Sequence, residues 1–99
     1  MKLVELREEF TENILIFGYT TNCGTCKFAE KMLDIVVESV SNIKVVKINL
    51  SMSNEIVNHY EIKSSPVFIL LKHGKIFDIF YAAHSVMNIY EKISALLSS

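Results

Sequence analysis

Cys23 and Cys26 are the only cysteines in the chain, and they fall in the run Asn22-Cys23-Gly24-Thr25-Cys26. A thiolate is a nucleophile and a metal ligand, so what such a pair can do depends on what stabilises its anion. The run lies where an apolar stretch ends and a helical period begins. The first turn of a helix has unpaired N–H groups and a partial positive charge. An anion on Cys23 at that point gains about 0.3–1 kcal/mol, and up to about 2 where it is partly buried. At about 1.4 kcal/mol per unit, this lowers the thiol by about one unit from its ordinary value near 8.5. Residues three apart on a helical turn share a side, within disulfide reach. Cys23 can therefore attack a disulfide, and Cys26 can attack Cys23 in turn and release the reduced product. Gly24 lets a partner's backbone come close.

Two blander roles compete. A zinc site needs four ligands at close spacing. The three histidines, His59, His73 and His84, are scattered along the chain, so they read as surface residues and no metal is expected. An inert buried pair fits poorly at a helix start, which is electropositive and accessible.

Composition narrows the class further. Ninety-nine residues make one domain, spanning 1–99. At 51% hydrophobic and 21% charged the chain has ample surface to build a core, so it is not disordered. Ten basic and eleven acidic side chains give a net charge of −1, with no basic stripe to neutralise phosphates. Nucleic acid is therefore not an expected partner. The start, Met1 to Glu9, carries acids where a secretory signal needs an apolar core, and no apolar run approaches the ~20 residues that span a bilayer. Two cysteines are too few for a secreted disulfide scaffold. The expectation is a soluble, cytoplasmic monomer with no membrane partner.

The elements that must position the cysteines alternate in period, as in a layered α/β domain. Leu3 to Glu12 reads as a short helix with Glu8, Glu9 and Glu12 on its wet side. Asn13 to Thr20 is a near-continuous apolar run, the pattern of a strand covered on both faces. Gly24 to about Val40 is helical, with Phe28, Met32, Leu33, Val36 and Val40 as its stripe. Ile43 to Leu50 is a second strand, and Ser51 or Ser53 caps a short helix through about Tyr60. Val67–Leu71 and Ile76–Tyr81 form a hairpin around Lys72-His73-Gly74-Lys75, with Gly74 at positive φ. Ser85 caps a last helix whose stripe is Val86, Ile89, Tyr90, Ile93 and Leu97. Phe17, Phe28, Phe68, Phe77, Phe80, Tyr60 and Tyr90 read as core or half-buried sheet face, with Tyr19 and Tyr81 near the site. The first two strands flank a full helix, which demands a right-handed parallel crossover. Pro66, the only proline, opens the Val67 strand, where no ladder N–H is lost.

These features together resemble the thioredoxin family over essentially the whole chain. The resemblance rests on Cys-x-x-Cys at a strand-to-helix turn and on Pro66 before a hairpin. It also rests on Val46-Lys47-Ile48-Asn49, Tyr60-Glu61-Ile62 and Leu71-Lys72-His73-Gly74. It implies a thioredoxin fold, a central mixed sheet of about four strands flanked by helices, here lacking the usual first strand. It implies a cis Ser65–Pro66 bond packed beside the cysteines and a Ser65 backbone that pairs with an extended substrate. Asn22, Gly24, Thr25, Ser65, Pro66 and Ala82 would then border the substrate, with Ala82 at a position usually held by glycine.

The departures from the family are specific. Asn22 replaces the usual Trp, and Thr25 the usual Pro. Phe17, six residues before Cys23, replaces a buried acid that receives the proton of the second cysteine. Without that acid, resolution by Cys26 is expected to be slow; Lys47 matches the lysine that pairs with the acid, is a candidate modulator of the site's proton affinity, and is expected to lack its partner. The implied activity is thiol–disulfide oxidoreduction on protein disulfides through Cys23 and Cys26. No bound cofactor is implied, and electrons would come from a reductase or a low-molecular-weight thiol. Two other readings stay open. One is a glutaredoxin-type reductase, disfavoured because Ala82-Ala83 stands where a Gly-Gly pair would help hold the thiol. The other is a redox-regulated adaptor without turnover.

Overall fold

The computed structural model describes residues 13–99. The helix expected over Leu3 to Glu12, and the expectation that no strand precedes Asn13, lie outside the described residues. Strand β1 (Asn13–Tyr19) runs into helix α1 (Gly24–Val37), followed by β2 (Ile43–Asn49) and a single 3-10 turn (Leu50–Met52). Helix α2 (Asn54–His59), the hairpin β3 (Val67–Lys72) and β4 (Lys75–Phe80), and helix α3 (Val86–Leu97) complete the order.

The sheet has strand order β2-β1-β3-β4. β1 pairs with β2 in parallel and with β3 antiparallel, and β3 with β4 antiparallel. β1 is thus central, and its continuous apolar run has the reason expected of it: both faces are covered. Ile14 and Ile16 join Ile69, Leu71, Ile56 and Tyr60 in one core. Leu15 and Phe17 face the other way, into a second core with Leu33 of α1 and Ile93 of α3. Helices α1 and α3 cover that second face, and α2 the first.

Several local expectations hold and several need correcting. His73 and Gly74 both take positive φ, 52° and 80°, so the hairpin turns through two left-handed residues. Ser85 Oγ accepts the Asn88 N–H and caps α3. Ser53 occupies the cap position of α2, but its hydroxyl donates to the Asn49 carbonyl instead of accepting a helix N–H. Leu50 leaves the strand and buries itself in the 3-10 turn. Helix α1 stops before Val40, and its buried stripe is Cys26, Ala29, Met32, Leu33 and Val36. Phe28, expected in that stripe, is 63% exposed. At 100° per residue it lies too far round from the Ala29–Met32–Leu33–Val36 line to reach the sheet. In α3 the buried positions are Ile89, Ile93 and Leu96, so Tyr90 faces solvent and Leu97 is only partly covered. Phe77 is exposed on β4.

Candidate active site

The site forms where β1 ends. Thr21 and Asn22 turn the chain, and Asn22 takes φ 58°, a left-handed conformation that asparagine tolerates better than most residues. The sequence marked Asn22 for its neighbourhood to Cys23; its backbone role in aiming α1 was not foreseen. Cys23 then sits at the N-cap of α1 with extended backbone, and its Sγ accepts the Cys26 N–H at 3.1 Å. No acidic residue occupies the first turn of α1 to oppose an anion there. Thr25 Oγ1 lies 3.4 Å from the same sulfur. Across the cleft, Ser65 Oγ reaches it at 4.0 Å and pairs with Thr20 Oγ1 at 2.9 Å. Thr20 was not anticipated. Its only signal was a hydroxyl at a strand end, and its partner lies 45 residues away.

Cys23 and Cys26 are joined as a disulfide, with Cα atoms 5.2 Å apart. The two sulfurs differ in access. Cys23 is half-buried, while Cys26 is buried at 3% exposure. Gly24 and Thr25 are exposed beside Cys23, and a Cβ on Gly24 would meet nothing within 4 Å. The Ser65–Pro66 bond is cis, as the resemblance implied.

Two concavities flank the pair. A groove of about 310 Å³ runs past Thr25, Phe28, Ser65, Pro66, Tyr81 and Ala82. Phe28, misplaced in the sequence reading as core, is the apolar wall of this groove. Tyr81 also accepts the Lys63 N–H on its hydroxyl at 3.3 Å, which ties the chain before Ser65 to the residue that follows β4. The second pocket, about 340 Å³, lies on the other side of the helix start and includes Tyr19, Asn22, Cys26, Lys27 and Glu30.

Phe17, at the place of the family's acid, is fully buried with its ring 5.2 Å from that of Phe68. Lys47 does not lack a partner. Its Nζ binds Glu30 Oε2 at 2.8 Å and Asp34 Oδ1 at 2.9 Å, both from α1. The hydrogen bonds it donates to Glu30 and then to Asp34 hold its ammonium above the usual lysine value. Lys47 thus takes its partners from the helix, one turn and two turns beyond Cys26. Among the described residues no group of three or more His, Cys, Asp or Glu stands together to hold a metal ion, and His59, His73 and His84 are exposed.

Comparison with known proteins agrees with this geometry. A family model described as Thioredoxin matches residues 4–95. The chain is 38% identical over 100 residues to the "Thioredoxin-like protein YusE" of Bacillus subtilis, covering 96% of this chain and 94% of that one. It is 33% identical over 90 residues to "Thioredoxin Y2, chloroplastic" of Arabidopsis thaliana, covering 90% of this chain but only 54% of that longer one. Oxidised mitochondrial thioredoxin 3 of Saccharomyces cerevisiae superposes with a TM-score of 0.84 at 23% identity, over 95% of this chain and 90% of that one. At that identity the superposition shows the fold alone.

Proposed function

The chain belongs to the thioredoxin family and is a thiol–disulfide oxidoreductase, and from that premise we propose that it reduces protein disulfides in the cytoplasm, with Cys23 attacking and Cys26 resolving. The observation that carries these roles is the difference between the sulfurs. Cys23 is accessible and held at the tip of α1, where the Cys26 N–H and the helix charge favour its anion. Cys26 is buried behind it.

In the first step the Cys23 thiolate attacks one sulfur of the substrate disulfide. A Cys23–substrate bond forms, the substrate S–S bond breaks, and the electron pair leaves on the other substrate sulfur, which takes a proton from water. In the second step the Cys26 thiol loses its proton and attacks Cys23 Sγ. The Cys23–substrate bond breaks, the second substrate sulfur leaves as thiolate, and the Cys23–Cys26 disulfide remains. Two electrons have passed to the substrate, and a reductase or a low-molecular-weight thiol returns them. The substrate backbone docks along the groove at Ser65 and Pro66, with Asn22, Gly24, Thr25 and Ala82 around it. The protein works as a single-domain monomer and needs no bound cofactor.

Trapping tests the roles. Cys26→Ser should retain substrates as mixed disulfides on Cys23, and Cys23→Ser should retain none. If Cys23→Ser traps more, the roles are reversed. Insulin reduction driven by thioredoxin reductase, compared with reduction driven by glutathione, identifies the donor. Turnover with neither would favour the adaptor reading over a working reductase.

A further inference from the structure

Resolution needs a thiolate on Cys26, yet its burial disfavours that anion and its own N–H is committed to Cys23. A proton must leave, and the groups able to receive it are few. Phe17 offers none. Among the described residues, the pocket that opens beside Cys26 is lined by one carboxylate, Glu30, four residues on and therefore on the next turn of the same helix face. Lys47 grips Glu30 Oε2 from β2, and the carboxylate has a second oxygen with which to receive a proton. The other polar and charged described residues around this carboxylate are Tyr19, Thr20, Thr21, Asn22 and Lys27, which line the same pocket, and Asp34, which shares Lys47.

We propose that Glu30 receives the proton Cys26 gives up in resolution, directly or through one water in the pocket, with Lys47 as the positioning residue that holds its carboxylate there. This deepens the exchange reaction proposed above and rests on it. The proton passes from Cys26 Sγ to Glu30 and on to solvent. The electron pair left on Cys26 forms the new bond to Cys23, and the pair of the broken bond leaves with the substrate sulfur. A role lost from the centre of the sheet is thereby taken up on the helix.

The test is a single turnover followed by stopped flow. Reduced protein in excess is mixed with 5,5′-dithiobis(2-nitrobenzoate), a chromogenic disulfide. The first thionitrobenzoate leaves at a rate set by concentration, as Cys23 attacks. The second leaves in a concentration-independent phase, as Cys26 resolves. A carboxylate is a weak base, so the effect should fall below the usual 10²–10⁴-fold of general-base catalysis; Glu30→Gln should slow the second phase about tenfold at pH 7. The deficit should close above about pH 9, where hydroxide removes the thiol proton unaided. Asp34→Asn removes the same charge and one of the two partners of Lys47, which keeps its 2.8 Å contact with Glu30; Asp34 does not line the pocket, so this variant should stay within about twofold of the unaltered protein. A Glu30→Gln second phase within twofold of the unaltered protein overturns the inference. So does an equal slowing by Asp34→Asn, or a deficit unchanged up to pH 10. If the unaltered protein shows no second phase at all, the exchange reading itself fails and the inference with it.

Discussion

Gly18 is where the sheet and the site are most tightly coupled, and Gly18→Ala is the sharpest probe of that coupling. The residue sits in central β1, in register with Ile48 on one side and Val67 on the other. A Cβ there would lie 2.6 Å from Val67 Cγ1 and 2.8 Å from Leu50 Cδ2. Both neighbours are buried, at 0% and 7% exposure, and Val67 directly follows Pro66. Hydrogen bonding on both sides leaves β1 no room to retreat, so the side chains must yield. Overpacking of this kind costs about 1–3 kcal/mol. Alanine returns about 0.4–1 kcal/mol by narrowing the unfolded ensemble, which leaves a net loss of about 1–2 kcal/mol. With a urea m-value of about 1–3 kcal/mol/M, the midpoint should fall by about 0.3–2 M at unchanged slope. Disulfide reduction should fall as well, since a displaced Val67 moves Pro66. Gly24→Ala is the matched control, with open space around the new methyl, and its midpoint should hold or rise slightly. A Gly18→Ala midpoint within about 0.2 M of the parent would refute the packing argument.

Two further outcomes follow from the site. Ser65→Ala removes the 2.9 Å bond to Thr20 and should cost about 0.5–1.5 kcal/mol, read as a shift in thermal or urea midpoint, while slowing alkylation of reduced Cys23 by removing a hydroxyl near its sulfur. Lys47→Gln should cost no more than about 1 kcal/mol at neutral pH and low salt, because the pair is largely exposed. The lysine is held above its ordinary 10.5, so its contribution is complete below that value and disappears as pH rises through the raised folded value. Stability curves of parent and Lys47→Gln should therefore converge above pH 10.5, and a constant gap there would contradict the ion-pair account.

The parts of this fold that were legible are those set by local physics. β1 announced itself because a strand covered on both faces must be apolar throughout, and the cysteine pair because it straddles a helix start. Ser85 and Gly74 did so through cap and turn chemistry. The errors arose where hydrophobicity outweighed geometry. Phe28 looked like core because it is large and apolar, yet small Ala29 holds the buried line and leaves Phe28 to wall the groove. Tyr90 was placed on the buried stripe of α3 for the same reason, and the stripe closes on Leu96 instead of the expected Leu97. The partners of Lys47 and the Thr20–Ser65 pair were out of reach because tertiary packing alone brings together residues 13 to 45 positions apart.

The central claim is that Cys23 ionises readily because it caps α1. Iodoacetamide alkylation of the fully reduced protein across pH, with peptide mapping to assign the label, measures this directly. Cys23 should label well ahead of Cys26, with a rate midpoint clearly below the ordinary thiol value of about 8.5. A midpoint at or above that value, or earlier labelling of Cys26, would contradict the account.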